Sequence, residues 1–244
     1  MKLYLIRHAQ STNNTLVDQR ERVADPDLTE LGYRQAQILA EYLTNGKNPE
    51  LFVGNSAEAT VTQQQHGYGL TRLYCSPMWR ALLTAELAGQ ALGIAPTVWT
   101  DIHEVGGIYM DYGEAGGLKG HPGKTRSEIL ERFPDYILPE EISEAGWWHG
   151  TREDWPFCQG RAIRVARQLR EMAKESDGTE QVALISHGGF MDALVKALLN
   201  QLPGTHVFYH HFNTAITHLD FHENGHLNLR YMNRIDHLSL EMIS

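Results

Sequence analysis

Three apolar runs in this 244-residue chain end in side chains suited to holding an anion. Leu3 to Ile6 leads directly into Arg7-His8, and Leu73 to Cys75 into Ser76, with Arg80 one helical turn further on. Val182 to Ile185 leads into Ser186-His187-Gly188-Gly189. An arginine stays charged, so Arg7 belongs at the mouth of a sheet and not in a core. In open α/β sheets, ligands bind outside the carboxyl ends of the strands. The spacing therefore predicts a single crevice containing His8, His187, Arg7 and Arg80. Two guanidinium forks match phosphoryl oxygens, and a helix starting at Gly188-Gly189 adds backbone N–H groups and a positive dipole end.

The elements that would position these residues are legible around them. The three apolar runs read as buried parallel strands. Thr29 is placed to cap a helix running to about Thr44, with Leu31, Ile38, Leu39, Tyr42 and Leu43 on one face and Leu28 with Tyr33 as a staple. Ser76-Pro77 predicts a helix start, and Gly93 its stop after Leu92. Further helices are expected over Phe157 to Glu175, through Ile163, Ala166, Leu169, Met172 and Ala173, and over Gly189 to Asn200. Ala215 to Phe221 and Leu227 to Met232, joined through Glu223-Asn224-Gly225, predict a hairpin. The expectation is a three-layer α/β/α domain over residues 1–244 with a mainly parallel sheet. Two stretches fall outside that pattern. Asn45 to Thr71 reads as an excursion loop, and Gly106 to Trp155, with Trp147, Trp148 and Trp155, as a packed cap.

The composition narrows the function classes. With 21 Lys+Arg against 30 Asp+Glu the net charge is −9, which argues against nucleic-acid binding. Cys75 and Cys158 show neither metal spacing nor a disulfide framework, which fits a reducing compartment. No signal-peptide pattern and no membrane-spanning apolar stretch is visible, so a cytoplasmic protein without a membrane partner is expected. His218, His222 and His226 recur at intervals of four, but on a strand, a turn and a strand, and a metal site is not expected there.

Four segments taken in order resemble the histidine phosphatase superfamily, the phosphoglycerate mutase-like proteins. They are Leu5-Ile6-Arg7-His8-Ala9-Gln10-Ser11 with Asn14; Asp27-Leu28-Thr29-Glu30-Leu31-Gly32 with Gln35-Ala36; Cys75-Ser76-Pro77-Met78-Trp79-Arg80-Ala81 with Thr84-Ala85; and Ser186-His187-Gly188-Gly189. The resemblance implies that His8 is the nucleophile and carries the phosphoryl group as a phosphohistidine, without metal or other cofactor. It implies that Arg7, Arg80 and His187 neutralise the transferring oxygens, and that Asn14 and the Gly188 N–H complete the pocket. It also implies a carboxylic acid for the leaving group. Glu104, in Asp101-Ile102-His103-Glu104-Val105-Gly106-Gly107, matches best, with Asp101 and Asp111 as alternatives.

The chain departs from the family pattern in places. Ala9-Gln10 replaces the commoner Gly-Glu. The 106–155 stretch lacks the mutase's paired arginines, and has Lys119, His121, Lys124 and Arg126 as candidates for a second anionic group of the substrate. The leading expectation is hydrolysis of a small phosphorylated metabolite. A phosphoglycerate mutase, a phospho-ligand-binding module without turnover and a metal-dependent hydrolase are the rivals. A homo-oligomer is left open.

Overall fold

The computed structural model describes residues 1–47 and 67–244, so most of the expected excursion loop lies outside the described residues. A six-stranded sheet organises the chain. Its strands are β1 (Lys2–Arg7), β2 (Arg72–Cys75), β3 (Thr97–Val98), β6 (Gln181–Ser186), β7 (Ile216–Phe221) and β8 (Leu227–Arg234), in the order β3-β2-β6-β1-β7-β8. β1, β6, β2 and β3 run parallel, and β7 and β8 add an antiparallel edge. The mainly parallel sheet expected from the three apolar runs is thus present. β3, two residues long, gave no periodic signal.

Period-two alternation fills both faces. Tyr4 and Ile6 of β1 and Ala183 and Ile185 of β6 face one cluster with helices α1 (Glu30–Asn45) and α2 (Trp79–Leu92). Leu3, Leu5, Val182 and Leu184 face a second cluster with α5 (Trp155–Glu175) and α6 (Gly188–Leu198). The result is three layers. Thr29 caps α1 as expected, its hydroxyl accepting from Gly32 N at 2.9 Å. Tyr33 is not drawn into the core as a staple partner: it stands exposed, and its hydroxyl donates to Asp27. Gly93 ends α2 in the left-handed region at φ 67°. α5 starts two residues earlier than expected because the Asp154 side chain caps it. Its buried stripe runs through Cys158, Ala162, Val165, Ala166 and Leu169, which leaves Ile163 on the solvent side.

The 106–155 segment carries a small antiparallel pair, β4 (Tyr109–Asp111) with β5 (Leu118–Gly120), the single turn α3 (Gly113–Gly116) and the short helix α4 (Arg126–Arg132). Ile129, Phe133, Tyr136, Ile142 and Trp147 from this segment join the α1/α2 cluster, so it is packed, as its tryptophans suggested. Within the described residues no helix is long and apolar enough to cross a membrane.

Candidate active site

Register puts the expected residues side by side. Arg7 pairs with Ser186 and Cys75 with Ile185, so three parallel strands end flush. The chain beyond them stays stitched together: His8 N donates to Ser186 O at 2.9 Å and Ser76 N to Ile185 O at 3.0 Å. His8 and His187 are both buried, with ring centroids 5.0 Å apart.

The hydrogen bonds of His8 fix its tautomer. Nδ1 lies 2.7 Å from Ala9 O, which can only accept, so Nδ1 carries the proton. Nε2 therefore holds a lone pair, and Arg80 Nε donates to it at 3.1 Å. Burial, reinforced by Arg80 and Arg7, lowers the His8 pKa well below 6.5 and keeps the ring neutral. The ring is held from behind, where Asn213 Nδ2 donates to His8 O at 2.7 Å and Thr84 Oγ1 accepts from Ala9 N at 3.1 Å.

The two arginines sit on either side. Arg80 approaches Asp25 with 3.8 Å between Nη1 and Oδ1. Burial outweighs attraction for both partners: it lowers the Arg80 pKa and pushes the Asp25 carboxyl up to about 6. Arg7 Nη1 donates to His211 O at 2.7 Å, whereas its Nε is buried with no partner among the described residues. Gly188 opens α6 directly beside it, such that a Cβ there would lie 3.6 Å from Arg7 Nε. His187 Nε2 is 2.7 Å from Ser76 Oγ, and its Nδ1 is likewise buried without a partner. Burial, with the charge of Arg80 next, lowers the His187 pKa well below 6.5.

Glu104 occupies the start of α6. Its carboxylate accepts from Phe190 N at 2.8 Å, Gly189 N at 3.1 Å and Val105 N at 2.8 Å. Two of the helix-end N–H groups that the sequence offered to a phosphate thus serve this carboxylate. The turn carrying Glu104 is tied down at both sides. Ser186 Oγ donates to Ile102 O at 2.7 Å. The buried Arg161 donates from Nη1 to Asp101 O and His103 O, and grips Glu153 with Nε and Nη2. Of the alternatives to Glu104, Asp111 is exposed in β4 and accepts from Gly113 N, while Asp101 contributes its backbone oxygen to Arg161.

Asn14 lies within the 3₁₀ turn Thr12–Thr15, exposed, its Oδ1 accepting from Ser11 N at 3.0 Å and Ser11 Oγ at 3.1 Å. The four basic residues singled out in the 106–155 stretch divide. Arg126 is spent on backbone carbonyls, donating to Pro139 O and Ile142 O. Lys124 pairs with Glu128 at 3.0 Å. Lys119 lies over the Tyr112 ring, and His121 Nε2 is 3.4 Å from the Tyr112 hydroxyl.

Sequence reasoning missed Asp25, Asn213 and Arg161, which reach the site from far along the chain. Their only local signal is a charged or amide side chain beside apolar neighbours. Among the described residues no three His, Cys, Asp or Glu side chains are grouped to hold a metal. Of the evenly spaced histidines, His218 stacks on Tyr4 at 4.5 Å and His222 pairs with Asn228, each in a separate environment.

The geometry agrees with what comparison with known proteins finds. The histidine phosphatase superfamily (branch 1) model matches residues 3–65 and 53–234. Phosphoserine phosphatase 1 of Hydrogenobacter thermophilus is 27% identical over 204 residues, 82% of this chain and 76% of that protein. A solved phosphoserine phosphatase of Entamoeba histolytica, in complex with 3-phosphoglyceric acid, superposes with a TM-score of 0.58 at 20% identity, over 98% of this chain and 99% of that one. A mycobacterial glucosyl-3-phosphoglycerate phosphatase superposes at 0.55 and 20% identity, over 95% and 98%. With a family model that spans nearly the whole chain and a sheet edge that gathers its four motifs, this protein belongs to the histidine phosphatase superfamily, branch 1.

Proposed function

We propose that the chain hydrolyses a small phosphomonoester through a phosphohistidine on His8, without a metal. One observation carries the reading: beside a neutral histidine whose Nε2 lone pair is met by Arg80 Nε alone, two buried nitrogens, Arg7 Nε and His187 Nδ1, have no partner among the described residues. A buried, unpaired donor costs roughly 1–3 kcal/mol. A phosphoryl group over His8 would satisfy both, with His187 protonated on Nδ1 and Ser76 Oγ donating to its Nε2, and Arg80 would turn its Nε from His8 to a third oxygen. That turn uncovers the nucleophile only when substrate is present.

In the first step His8 Nε2 bonds to phosphorus, the P–O bond to the leaving group breaks, and protonated Glu104 gives the departing alkoxide its proton. In the second, water attacks the phosphohistidine, Glu104 takes the water's proton, and inorganic phosphate leaves with His8 and Glu104 restored. Arg7, Arg80 and His187 bear the developing charge, with Asn14 and Gly188 closing the pocket, and the 106–155 segment acts as the cap that selects the alcohol. The relatives named above as phosphatases favour water over a second hydroxyl as acceptor.

The test is hydrolysis of p-nitrophenyl phosphate by wild type and His8→Ala, both in EDTA. Turnover by the wild type and loss of at least about a thousandfold in the variant is expected. Equal rates in the two proteins, or wild-type turnover abolished by EDTA, would overturn the mechanism.

A further inference from the structure

α6 carries two charged side chains among apolar ones, Asp192 and Lys196, one helical turn apart. Both are buried, at 2% and 4% side-chain exposure, and Lys196 Nζ donates to Asp192 Oδ2 at 2.7 Å. A buried pair adds little net stability over apolar side chains of similar size, because both ions lose their water. What this pair does is hold a loop. Residues 199–215 join α6 to β7 without a helix or strand, and Leu202, Val207 and Phe208 of this connection stand exposed. Apolar burial therefore does little to fix the stretch. The ion pair fixes it instead. Lys196 Nζ also donates to Gly204 O at 2.8 Å and to Val207 O, and Asp192 Oδ1 accepts from Tyr209 N at 2.8 Å. All three ammonium protons and both carboxylate oxygens are thereby used. Two residues past Tyr209 the same connection meets the His8 site. His211 O accepts from Arg7 Nη1 at 2.7 Å, and among the described residues this is the one hydrogen bond of the Arg7 side chain. Where His211 O sits therefore decides how the Arg7 guanidinium, with its buried and unpaired Nε, is turned.

We propose that Asp192 and Lys196 are positioning residues for Arg7. By pinning 204–209 onto α6 they hold His211 O, and His211 O holds the guanidinium with its Nε directed at the place a phosphoryl group takes over His8. The inference rests on the phosphatase reading and adds to it two residues that never touch substrate. α6 begins at Gly188, beside Arg7, so one rigid helix sets the distance between Arg7 and the anchor of its acceptor. A misplacement of about 1 Å at a catalytic group is enough to cost roughly a hundredfold in rate. An Asp–Lys pair at this spacing ordinarily marks a solvent-facing strip of helix, where it is worth little. Here its burial and its four loop and helix partners give it a different task. The connection reaches His8 as well, through Asn213 Nδ2 and His8 O, so a test must separate the two routes.

The experiment follows hydrolysis of p-nitrophenyl phosphate by four proteins: wild type, Asp192→Leu with Lys196→Met, Arg7→Ala, and all three substitutions together. Removing one partner alone would strand the other as a buried charge, so both are replaced at once by apolar side chains. The apolar pair should melt cooperatively, as wild type does. In it kcat and kcat/KM should fall together by about tenfold to a hundredfold, the pattern of an interaction made in the transition state. In the Arg7→Ala background the same two substitutions should cost less than about twofold, because the group they position is gone. Unchanged kcat in the apolar pair would overturn the proposal. So would a loss that multiplies with that of Arg7→Ala, which would place the effect on His8 through Asn213. An apolar pair that no longer melts cooperatively would assign Asp192 and Lys196 to the fold and overturn it too. Wild-type turnover that His8→Ala abolishes, beside an unaffected apolar pair, sinks this inference alone; no turnover by wild type sinks the phosphatase reading with it.

Discussion

At the scale of single residues, the site is a set of donors arranged around one imidazole whose tautomer is fixed by its own neighbour's carbonyl. The Arg80 Nε that caps this imidazole in the free protein is also the donor best placed for the transferring group. Arg80→Ala should therefore leave the fold intact and lower kcat by about a hundredfold to a thousandfold, the usual loss for one transition-state donor. Circular dichroism and steady-state rates check the two halves of that statement. Glu104 makes a sharper prediction. Glu104→Gln should slow alkyl phosphates far more than aryl phosphates, whose leaving groups need little protonation. Equal slowing of both classes would assign Glu104 to holding the start of α6 rather than to proton transfer. His8, Arg7, Arg80 and His187 were legible because each follows an apolar run at a strand end. Asp25 was not, because its partners Arg80 and Trp79 lie more than fifty positions away and nothing local announces them.

At the scale of elements, the strand ends were readable and the helix starts less so. Ser76-Pro77 looked like a local cap for α2, yet the helix begins at Trp79 with Met78 as the flanking residue. The Ser76 hydroxyl lies 2.7 Å from His187 Nε2 and accepts from Met78 N, while the Asp25 carboxylate accepts from Trp79 N at 3.0 and 3.2 Å. A tertiary cap has displaced the local one, which ties the start of α2 to His187 and the His8 site. α4 was missed although Thr125 and Glu128 form a capping box whose spacing was visible. Close packing of α1 against the chain that follows β1 leaves no room for a side chain at one position. A Cβ at Gly32 would come 2.0 Å from Gln10 O, a backbone atom that cannot swing aside. Gly32→Ala should thus destabilise the protein by about 1–3 kcal/mol. The melting temperature should fall by several degrees, and the rate should fall too, since Gln10 lies two residues from His8. An unchanged melting temperature would show that the α1 contact yields freely.

At the scale of the whole molecule, the sheet buries several histidines as neutral rings, and that makes stability depend on acid. Burial holds His103 at about 3 and His211 and His237 at about 4, and His8 and His187 well below 6.5. Each has a folded-state pKa below its unfolded value. As pH falls through 6.5 the unfolded chain takes protons that the folded chain refuses, and stability drops by about 1.4 kcal/mol per pH unit for each such ring. Asp25 works in the opposite sense: raised to about 6, it binds a proton in the folded state between pH 6 and 4 and offsets one histidine. Urea unfolding at pH 7.5 and 5.5 should show a clear loss of stability at the lower value, and a flat profile would mean that these rings titrate normally. The three-layer plan was legible from the short apolar runs of β1, β2 and β6 and the helical stretches that alternate with them. That the 106–155 segment packs was legible from its tryptophans, but its short elements were not, because they carry no sustained period. The claim on which everything else stands is a covalent phosphohistidine at His8. The most direct measurement is to mix the protein with radiolabelled aryl phosphate, quench in alkali within the first turnovers, digest and locate the label. The account predicts an alkali-stable, acid-labile phosphoryl group on the peptide containing His8. Label on any other peptide, or turnover that leaves none, would contradict it.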